Sequence, residues 1–222
     1  MQKFSIWLLS VCLALTVVGF SQSAGPQTQA LEPLGAGRFR DATKELGVDF
    51  RHRASPTSKK YLLETMGSGA AIFDYDNDGR LDIFLSNGAR LDDPMPEGAI
   101  PRKNGPEYWN RLYHQKPDGT FEDSTERAGL AGRFYSTGVA VGDYDNDGYE
   151  DLFVAGYGRN TLYHNNGDGT FTDVTESAGV AGSGWSSSAV WVDYDNDGLL
   201  NLVVARYVTS PSHRCDGFSG HA

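Results

Sequence analysis

The sequence predicts an all-β protein, a partial propeller of about three four-stranded blades arranged as an open arc. The string Asp-Tyr-Asp-Asn-Asp-Gly occurs three times, starting at Asp74, Asp143 and Asp193. A second string, Phe-x-Asp-x-Thr-x-x-x-Gly followed by Val or Leu, also occurs three times, starting at Phe39, Phe121 and Phe171. The last two copies of each string lie 50 residues apart. That period is the size of one propeller blade.

Each repeat unit contains four short β-rich runs, and no segment shows the 3.6-residue period of a helix. In the last units these runs are residues 188–193, 200–207, 161–164 and 171–175. Between the last two runs, Asn-Gly-Asp-Gly at 166–169 is a hairpin turn signal. The pattern therefore predicts strands joined by tight turns.

The first unit is longer than the second, because Phe39 and Phe121 are 82 residues apart and Asp74 and Asp143 are 69 residues apart. Two insertions account for the difference, one between Gly47 and Met66 and one from Leu91 to Pro106. Inserted loops in repeat proteins often lie on the binding face, so both are candidate contact surfaces. The first insertion also carries a basic cluster, for which ordinary solvated charge is the alternative interpretation: Arg51, His52, Arg53, Lys59 and Lys60.

The aspartate strings predict three metal-binding loops. We number each loop from the first Asp of its string. Side chains at positions 1, 3 and 5 converge when the chain curls, and glycine at position 6 permits the sharp turn. Position 7 offers its backbone carbonyl, and the side chain at position 9 completes the coordination sphere of the ion. The third loop is expected to be weaker, because asparagine brings no charge at position 9. The candidate ligands are Asp74, Asp76, Asp78, Arg80 and Asp82; Asp143, Asp145, Asp147, Tyr149 and Asp151; and Asp193, Asp195, Asp197, Leu199 and Asn201.

Calcium is the expected ion, at about three sites, because clustered carboxylates repel one another without a cation and Ca²⁺ prefers flexible all-oxygen sites. An EF-hand is excluded, since it needs Glu at position 12 and these loops have Leu85, Val154 and Val204 there. The remaining alternative is a set of solvated acidic turns without an ion. His114 and His164 occupy equivalent repeat positions and are interpreted as structural.

The first residues predict a secretory signal peptide. Lys3 precedes an apolar run from Phe4 to Phe20, and small residues suited to cleavage follow. An uncleaved membrane anchor is the alternative. We expect a signal peptide over 1–23, a linker over 24–37, the repeat region over 38–208 and a truncated tail over 209–222. The protein is then secreted, periplasmic or on the cell surface, with no membrane span after cleavage, and the role of Cys215 stays open.

The net charge of −10 argues against nucleic acid as a partner, because phosphate binding needs clustered lysine and arginine. No catalytic triad, P-loop or zinc pattern is present in the sequence, so an enzyme is not expected. The predicted function is a calcium-binding scaffold for adhesion or binding, whose partner is an unknown protein or glycan. The alternative is a carbohydrate-active enzyme or lectin, for which Glu64 and Glu107 are the residues to test.

The loops with their short apolar flanks resemble FG-GAP and VCBS repeats, as found in integrin α-subunit propellers. The closer resemblance is to proteins with an ASPIC/UnbV domain, related to cartilage acidic protein. It is carried by residues 39–43, 69–85, 160–179 and 192–205. The resemblance implies calcium in the loops and a parent propeller of about seven blades, of which this chain would be an N-terminal fragment. In such a propeller a strand at Phe39–Thr43 would complete the last blade.

Overall fold

The computed structural model describes residues 39–208. Apart from residues 39 and 40, the described residues belong to one compact unit, which begins at Asp41. The predicted signal peptide, linker and tail boundaries lie outside the described residues. Within residues 39–208 there is no helix that combines the length and apolarity needed to cross a membrane.

Ten strands in the described residues form three antiparallel sheets, which confirms the prediction of an all-β fold. The first sheet contains β1 (Ala70–Phe73), β2 (Asp82–Leu85), β3 (Arg111–Gln115) and β4 (Phe121–Asp123). The second contains β5 (Ser136–Gly142), β6 (Asp151–Gly156), β7 (Thr161–Asn165) and β8 (Phe171–Asp173). The third contains β9 (Trp185–Val192) and β10 (Asn201–Val208).

Helical structure in the described residues is limited to single turns. The α-helices are α1 (Thr43–Leu46) and α2 (Thr125–Ala128), and 3₁₀ turns occupy Leu62–Thr65 and Pro106–Tyr108. Gly129 follows the last residue of α2, and its φ of 77° places it in the left-handed region that glycine tolerates best. These turns follow or precede strands and do not form a separate layer.

Strand order within each sheet follows the order along the chain, so every connection joins neighbouring antiparallel strands. The repeat units also share one register: Ala71 pairs with Phe84 in the first sheet, and Ala140 pairs with Phe153 in the second. Val190 pairs with Val203 at the same position of the third sheet. The sequence repeat is therefore a structural repeat at the level of individual residue pairs.

No strand forms at Phe39–Thr43, where the resemblance implied one only within a closed propeller. Residues 39–42 have no regular structure, and Thr43 begins α1. The corresponding motifs at Phe121 and Phe171 do form strands, because each pairs with the strand that precedes it along the chain, β3 or β7. Within the described chain no strand precedes Phe39, and an extended segment without a ladder partner leaves its backbone groups to water.

Apolar side chains from neighbouring sheets form the core. Phe84 of β2 is fully buried in a cluster with Leu152 and Val154 of β6. Phe153 of β6 is also fully buried, and its cluster includes Leu202 of β10. Each sheet thus packs one face on the next, as aligned twisted sheets do.

Candidate functional site

The three aspartate strings connect the first two strands of each sheet, and their first residue organises the loop. Both carboxylate oxygens of Asp74 accept backbone N–H groups, from Asp78 at 3.0 Å and Gly79 at 2.8 Å. Asp143 holds the N–H groups of positions 5 and 6 in the same way at 3.0 and 2.9 Å. Asp193 repeats the arrangement at 3.1 and 3.0 Å. The carboxylate at position 1 therefore curls the chain before any ion is considered.

Two residues of each loop adopt left-handed backbone conformations. Glycine at position 6 was expected to do so, and Gly79, for example, has a φ of 84°. The asparagine at position 4 does so as well, with φ of 56° at Asn77 and 58° at Asn146. Asparagine is among the residues that tolerate this region. This role of the Asp-Asn-Asp-Gly order was not predicted from the sequence.

Position 9 is the most deeply buried carboxylate of each complete loop. Asp151 is fully buried, and its two oxygens accept the N–H groups of Tyr144 at 3.2 Å and Asn165 at 2.8 Å. Asp82 has equivalent bonds from Tyr75 and Gln115. Burial raises the pKa of the Asp151 carboxyl to about 6 and also raises that of Asp82. Position 9 thus ties the loop to the third strand of its own sheet.

The third loop differs at this position. Asn201 is partly buried, and its side-chain oxygen lies in the protein interior without a hydrogen-bond partner in the described residues. Asp193, Asp195 and Asp197 nevertheless bring one oxygen each to within 4.8 Å of one another. The third loop therefore retains the acidic cluster but has no equivalent of the tie to a third strand.

Two histidines that the sequence analysis left outside the loops are adjacent to them. Nδ1 of His114 lies 3.4 Å from Asp76 and 3.2 Å from the buried Asp82. Nδ1 of His164 lies 3.3 Å from both Asp145 and Asp151. Their identical positions in the two Asn-x-Leu-Tyr-His strings were the available signal. Each complete loop therefore gathers imidazole nitrogen as well as carboxylate oxygen.

Ligand atoms converge in each of the three loops. Oxygens of Asp74, Asp76 and Asp82 lie within 4.8 Å of one another, as do those of Asp143, Asp145 and Asp147. Carboxylates at this spacing repel one another unless protonated or neutralised by a cation. These clusters could hold a metal ion, and their donors are mainly the hard oxygens that Ca²⁺ prefers.

The residue at position 7 varies between loops, but its backbone N–H makes the same hydrogen bond in each. The N–H groups of Tyr149 and Leu199 donate to the position-5 carboxylates at 2.8 Å. Arg80 does the same at 2.9 Å, and its guanidinium also pairs with Asp78. This ion pair partly neutralises Asp78 and distinguishes the first loop from the others.

Side-chain amides link neighbouring loops. Nδ2 of Asn77 donates to the carbonyl of Gly148 at 2.9 Å, and Nδ2 of Asn146 donates to the carbonyl of Gly198 at 3.2 Å. A further amide, Nδ2 of Asn165, donates to the carbonyl of Tyr75 at 2.8 Å. The three loops therefore lie side by side at one end of the sheets.

The two insertions lie at the opposite end of the sheets, because they precede β1 and follow β2, whereas the aspartate loop joins these strands at the other end. They contact each other directly: Leu91 N–H donates to Ser55 Oγ, and Met95 N–H donates to the Tyr61 hydroxyl, both at 2.8 Å. Close approach requires glycine at position 88, since a Cβ there would lie 2.5 Å from the Arg53 carbonyl oxygen.

An apolar cluster fixes the insertions to the sheets. It contains Leu63 and Leu91 from the insertions together with Tyr135 and Trp185. Tyr135 directly precedes β5, and Trp185 is the first residue of β9. A cavity of about 200 Å³ lies between the first insertion and the first sheet. The cavity is lined by Asp49, Phe50, Arg51, Arg53, Asn87, Glu107, Trp109, Arg111 and Asp123.

The two glutamates considered for catalysis have different surroundings. Glu64 accepts backbone N–H groups from Thr57 at 3.1 Å and Tyr61 at 2.8 Å, so its carboxylate holds the first insertion in shape. Glu107 is exposed and lines the cavity. In the basic cluster of the first insertion, Arg51 and Arg53 also line the cavity. Lys59 and Lys60 do not line it and are exposed to solvent.

Comparison with known proteins agrees with the repeat structure. No curated protein matches the chain. The FG-GAP-like repeat family matches residues 74–154 and 143–204, two overlapping stretches that each run from one aspartate loop through the first part of the next unit. Together they cover more than half of the 222 residues. The chain therefore belongs to the FG-GAP-like repeat family.

Proposed function

We propose that the protein is a secreted, calcium-binding scaffold of the propeller type, which binds a protein or glycan through the end formed by the two insertions. FG-GAP-like repeats suggest a binding or adhesion domain. The observation that carries the calcium assignment is the convergence of three carboxylates in each of three equivalent loops. A narrower kinship with ASPIC/UnbV proteins, and a place in a longer propeller, rest on the sequence resemblance.

Calcium in the loops supports the fold by joining side chains that otherwise repel one another. Extracellular calcium modules have Kd values of roughly 10⁻⁴ to 10⁻³ M. At about 1 mM free Ca²⁺, each such site adds roughly 0.4–1.4 kcal/mol to the free energy of unfolding. Three sites are then a substantial part of the stability of a typical domain.

Asp145→Ala separates ion binding from folding better than substitution of Asp143 or Asp151 would. Asp145 accepts no backbone hydrogen bond from the described residues, whereas Asp143 and Asp151 hold the loop backbone. We expect calorimetry to show calcium uptake by the wild-type chain and one site fewer in the variant. In chelator the two melting temperatures should agree.

Asp92→Ala, which removes an exposed carboxylate outside the loops, is the matched control and should retain every site. Zinc uptake without calcium uptake would contradict the choice of ion, because His114 and His164 add nitrogen donors that suit transition metals. Absence of uptake of any divalent cation would contradict metal binding altogether.

A lectin or carbohydrate-active enzyme is the second candidate, favoured by the cavity between the first insertion and the first sheet. Trp109 offers an aromatic surface there, while Arg51, Arg53 and Glu107 offer charged hydrogen-bonding groups. A small number of polar groups beside an aromatic side chain is typical of ligand pockets. A glycan array probed with the calcium-loaded chain and with Trp109→Ala tests this candidate: retention lost in the variant supports a lectin, and release of reducing ends indicates an enzyme.

A further inference from the structure

Asn87, two residues beyond the end of β2, differs from its counterpart in the second sheet. Its N–H donates to the side-chain oxygen of Asn110 at 2.9 Å. Gly156 N–H makes the same bond to Asn160 at 3.2 Å, so Asn87 and Gly156 occupy equivalent positions. A Cβ at Gly156 would lie 2.4 Å from the Arg159 carbonyl oxygen, so glycine there allows a direct backbone approach. The first sheet has an asparagine side chain at the position where the second has none.

The Asn87 side chain connects the first insertion to the segment before β3. Its Oδ1 accepts the Arg53 N–H at 3.0 Å. Its Nδ2 faces three carbonyl oxygens, those of Arg51 at 3.4 Å, Glu107 at 3.2 Å and Trp109 at 3.1 Å. Asn87 is 2% exposed. One buried amide therefore fixes the backbone of four residues whose side chains all line the cavity of about 200 Å³.

Two cationic side chains of this cavity are free to bind a ligand. Neither Arg51 nor Arg53 has a hydrogen bond or ion pair through its guanidinium with another residue in the described part of the chain. Arg111, the third arginine of the lining, is instead fully engaged. Its Nε lies 3.2 Å from Asp123, and its other two nitrogens donate to main-chain carbonyls at 3.1 and 2.8 Å.

The carboxylates of the lining differ in how far they are engaged. One oxygen of Asp123 accepts the Thr125 N–H at 2.9 Å, and the other forms the ion pair just described. Asp49 accepts the Tyr113 hydroxyl at 2.8 Å through one oxygen. The Glu107 carboxylate is exposed and has no hydrogen-bond partner among residues 39–208. A ligand therefore meets two guanidinium groups, the Glu107 carboxylate and one oxygen of Asp49.

These free groups are complementary to a sugar residue with a negative substituent. Guanidinium groups bind carboxylates and other oxyanions through paired N–H donors. Carboxylate oxygens accept hydrogen bonds from hydroxyl groups, which a sugar carries around its ring. Pockets for drug-sized ligands have volumes of about 300–1,000 Å³, so this smaller cavity suits a single sugar residue. A neutral sugar offers the hydroxyl groups but no negative group for the two arginines.

We infer that the cavity at Asn87 binds a sugar residue that carries a carboxylate or a sulfate group. The anionic group binds Arg51 and Arg53, and the sugar hydroxyls donate to Glu107 and Asp49. This assignment deepens the lectin candidate proposed above and rests on it. Both arginines belong to the first insertion, so the insertion supplies the charge selectivity of the site.

A glycan array that pairs each acidic glycan with its neutral parent tests this assignment on the full, calcium-loaded chain. Glucuronate-containing and 6-sulfated oligosaccharides distinguish the two kinds of anionic group. We expect acidic members to be retained and their neutral parents to bind at least about tenfold more weakly, because hydrogen bonds to charged groups are the stronger ones. Retention of one kind of acidic glycan alone supports the inference and identifies the anionic group.

Substitutions in the first insertion locate the binding site. Arg53→Gln and Arg51→Gln should each weaken binding of the retained acidic glycan at least about tenfold and leave calcium uptake unchanged. Lys59→Gln is the matched control, since it removes the same charge from an exposed position of the same insertion outside the cavity. It should change the affinity less than about twofold, because exposed distant charges are screened by salt.

Three results would overturn the inference. Equal retention of acidic and neutral glycans would reject the anionic ligand while the lectin candidate stands. Retention of no glycan would reject both, and calcium uptake would still report on the loops separately. Equal weakening by Lys59→Gln and Arg53→Gln would assign the binding to general surface charge and remove it from the cavity.

Discussion

Replacing Asp151 with alanine is expected to lower the free energy of unfolding by about 2–5 kcal/mol, because two backbone N–H groups lose their acceptor. The Asp151 side chain is fully buried, and its oxygens bind Tyr144 N–H and Asn165 N–H. The bond from Asn165 is buried, and the bond from Tyr144 is partly buried. Urea denaturation in the presence of a chelator measures this loss without a contribution from bound cations.

Asp151→Asn is the matched variant, since the third sheet itself has asparagine at this position. The amide keeps one acceptor oxygen and removes the cost of burying a charge, the same cost that raises the pKa of Asp151. The loss should therefore be about half that of the alanine variant or less. If the alanine variant were as stable as the wild-type chain in chelator, the proposed tie between loop and third strand would be wrong.

Phe153→Ala is expected to cost about 3–5 kcal/mol, the range for removing a fully buried aromatic ring. Phe153 is 0% exposed, and its cluster joins the second sheet to Leu202 and Val204 of the third. The cavity would lie between two sheets, so their packing on each other should weaken together with global stability. The measurement is the midpoint and slope of urea denaturation.

Val203→Ala supplies the control from inside the repeat, because Val203 occupies the same register position as Phe153 but is 52% exposed. Its loss should stay below about 1 kcal/mol, as is usual for half-exposed positions. Similar losses for the two variants would show that the third sheet does not pack on the second through Phe153.

Sequence patterns predicted the repeating parts of this molecule well, because the same local rules act in each unit. The three copies of the aspartate string predicted the loops and their flanking strands. The Asn-Gly signal predicted the hairpin of β7 and β8. Phe39–Thr43 carries the same motif but forms no strand, since a motif fixes a strand only where a partner strand is present. His114 was not assigned to its loop because 32 residues separate it from Asp82. Only the register of β2 with β3 brings the two together.

The insertions illustrate the other limit of sequence reasoning. Their positions and lengths were predicted from the spacing of the repeats, but their mutual packing was not. Leu63, Leu91 and Trp185 meet through irregular backbone, which has no periodicity that a sequence pattern could reveal. Contacts such as Tyr135 hydroxyl to Leu63 carbonyl, at 2.8 Å, depend on the complete tertiary arrangement.

The location of the insertions and the aspartate loops at opposite ends of the sheets has an evolutionary consequence. The first unit has 19 more residues between its aspartate strings than the second, yet β2 and β6 pair with their neighbours in the same register. Extra length at one end is thus accommodated without disturbing the carboxylates at the other. Selection can diversify the inserted loops of such a protein while the acidic turns stay under a separate constraint.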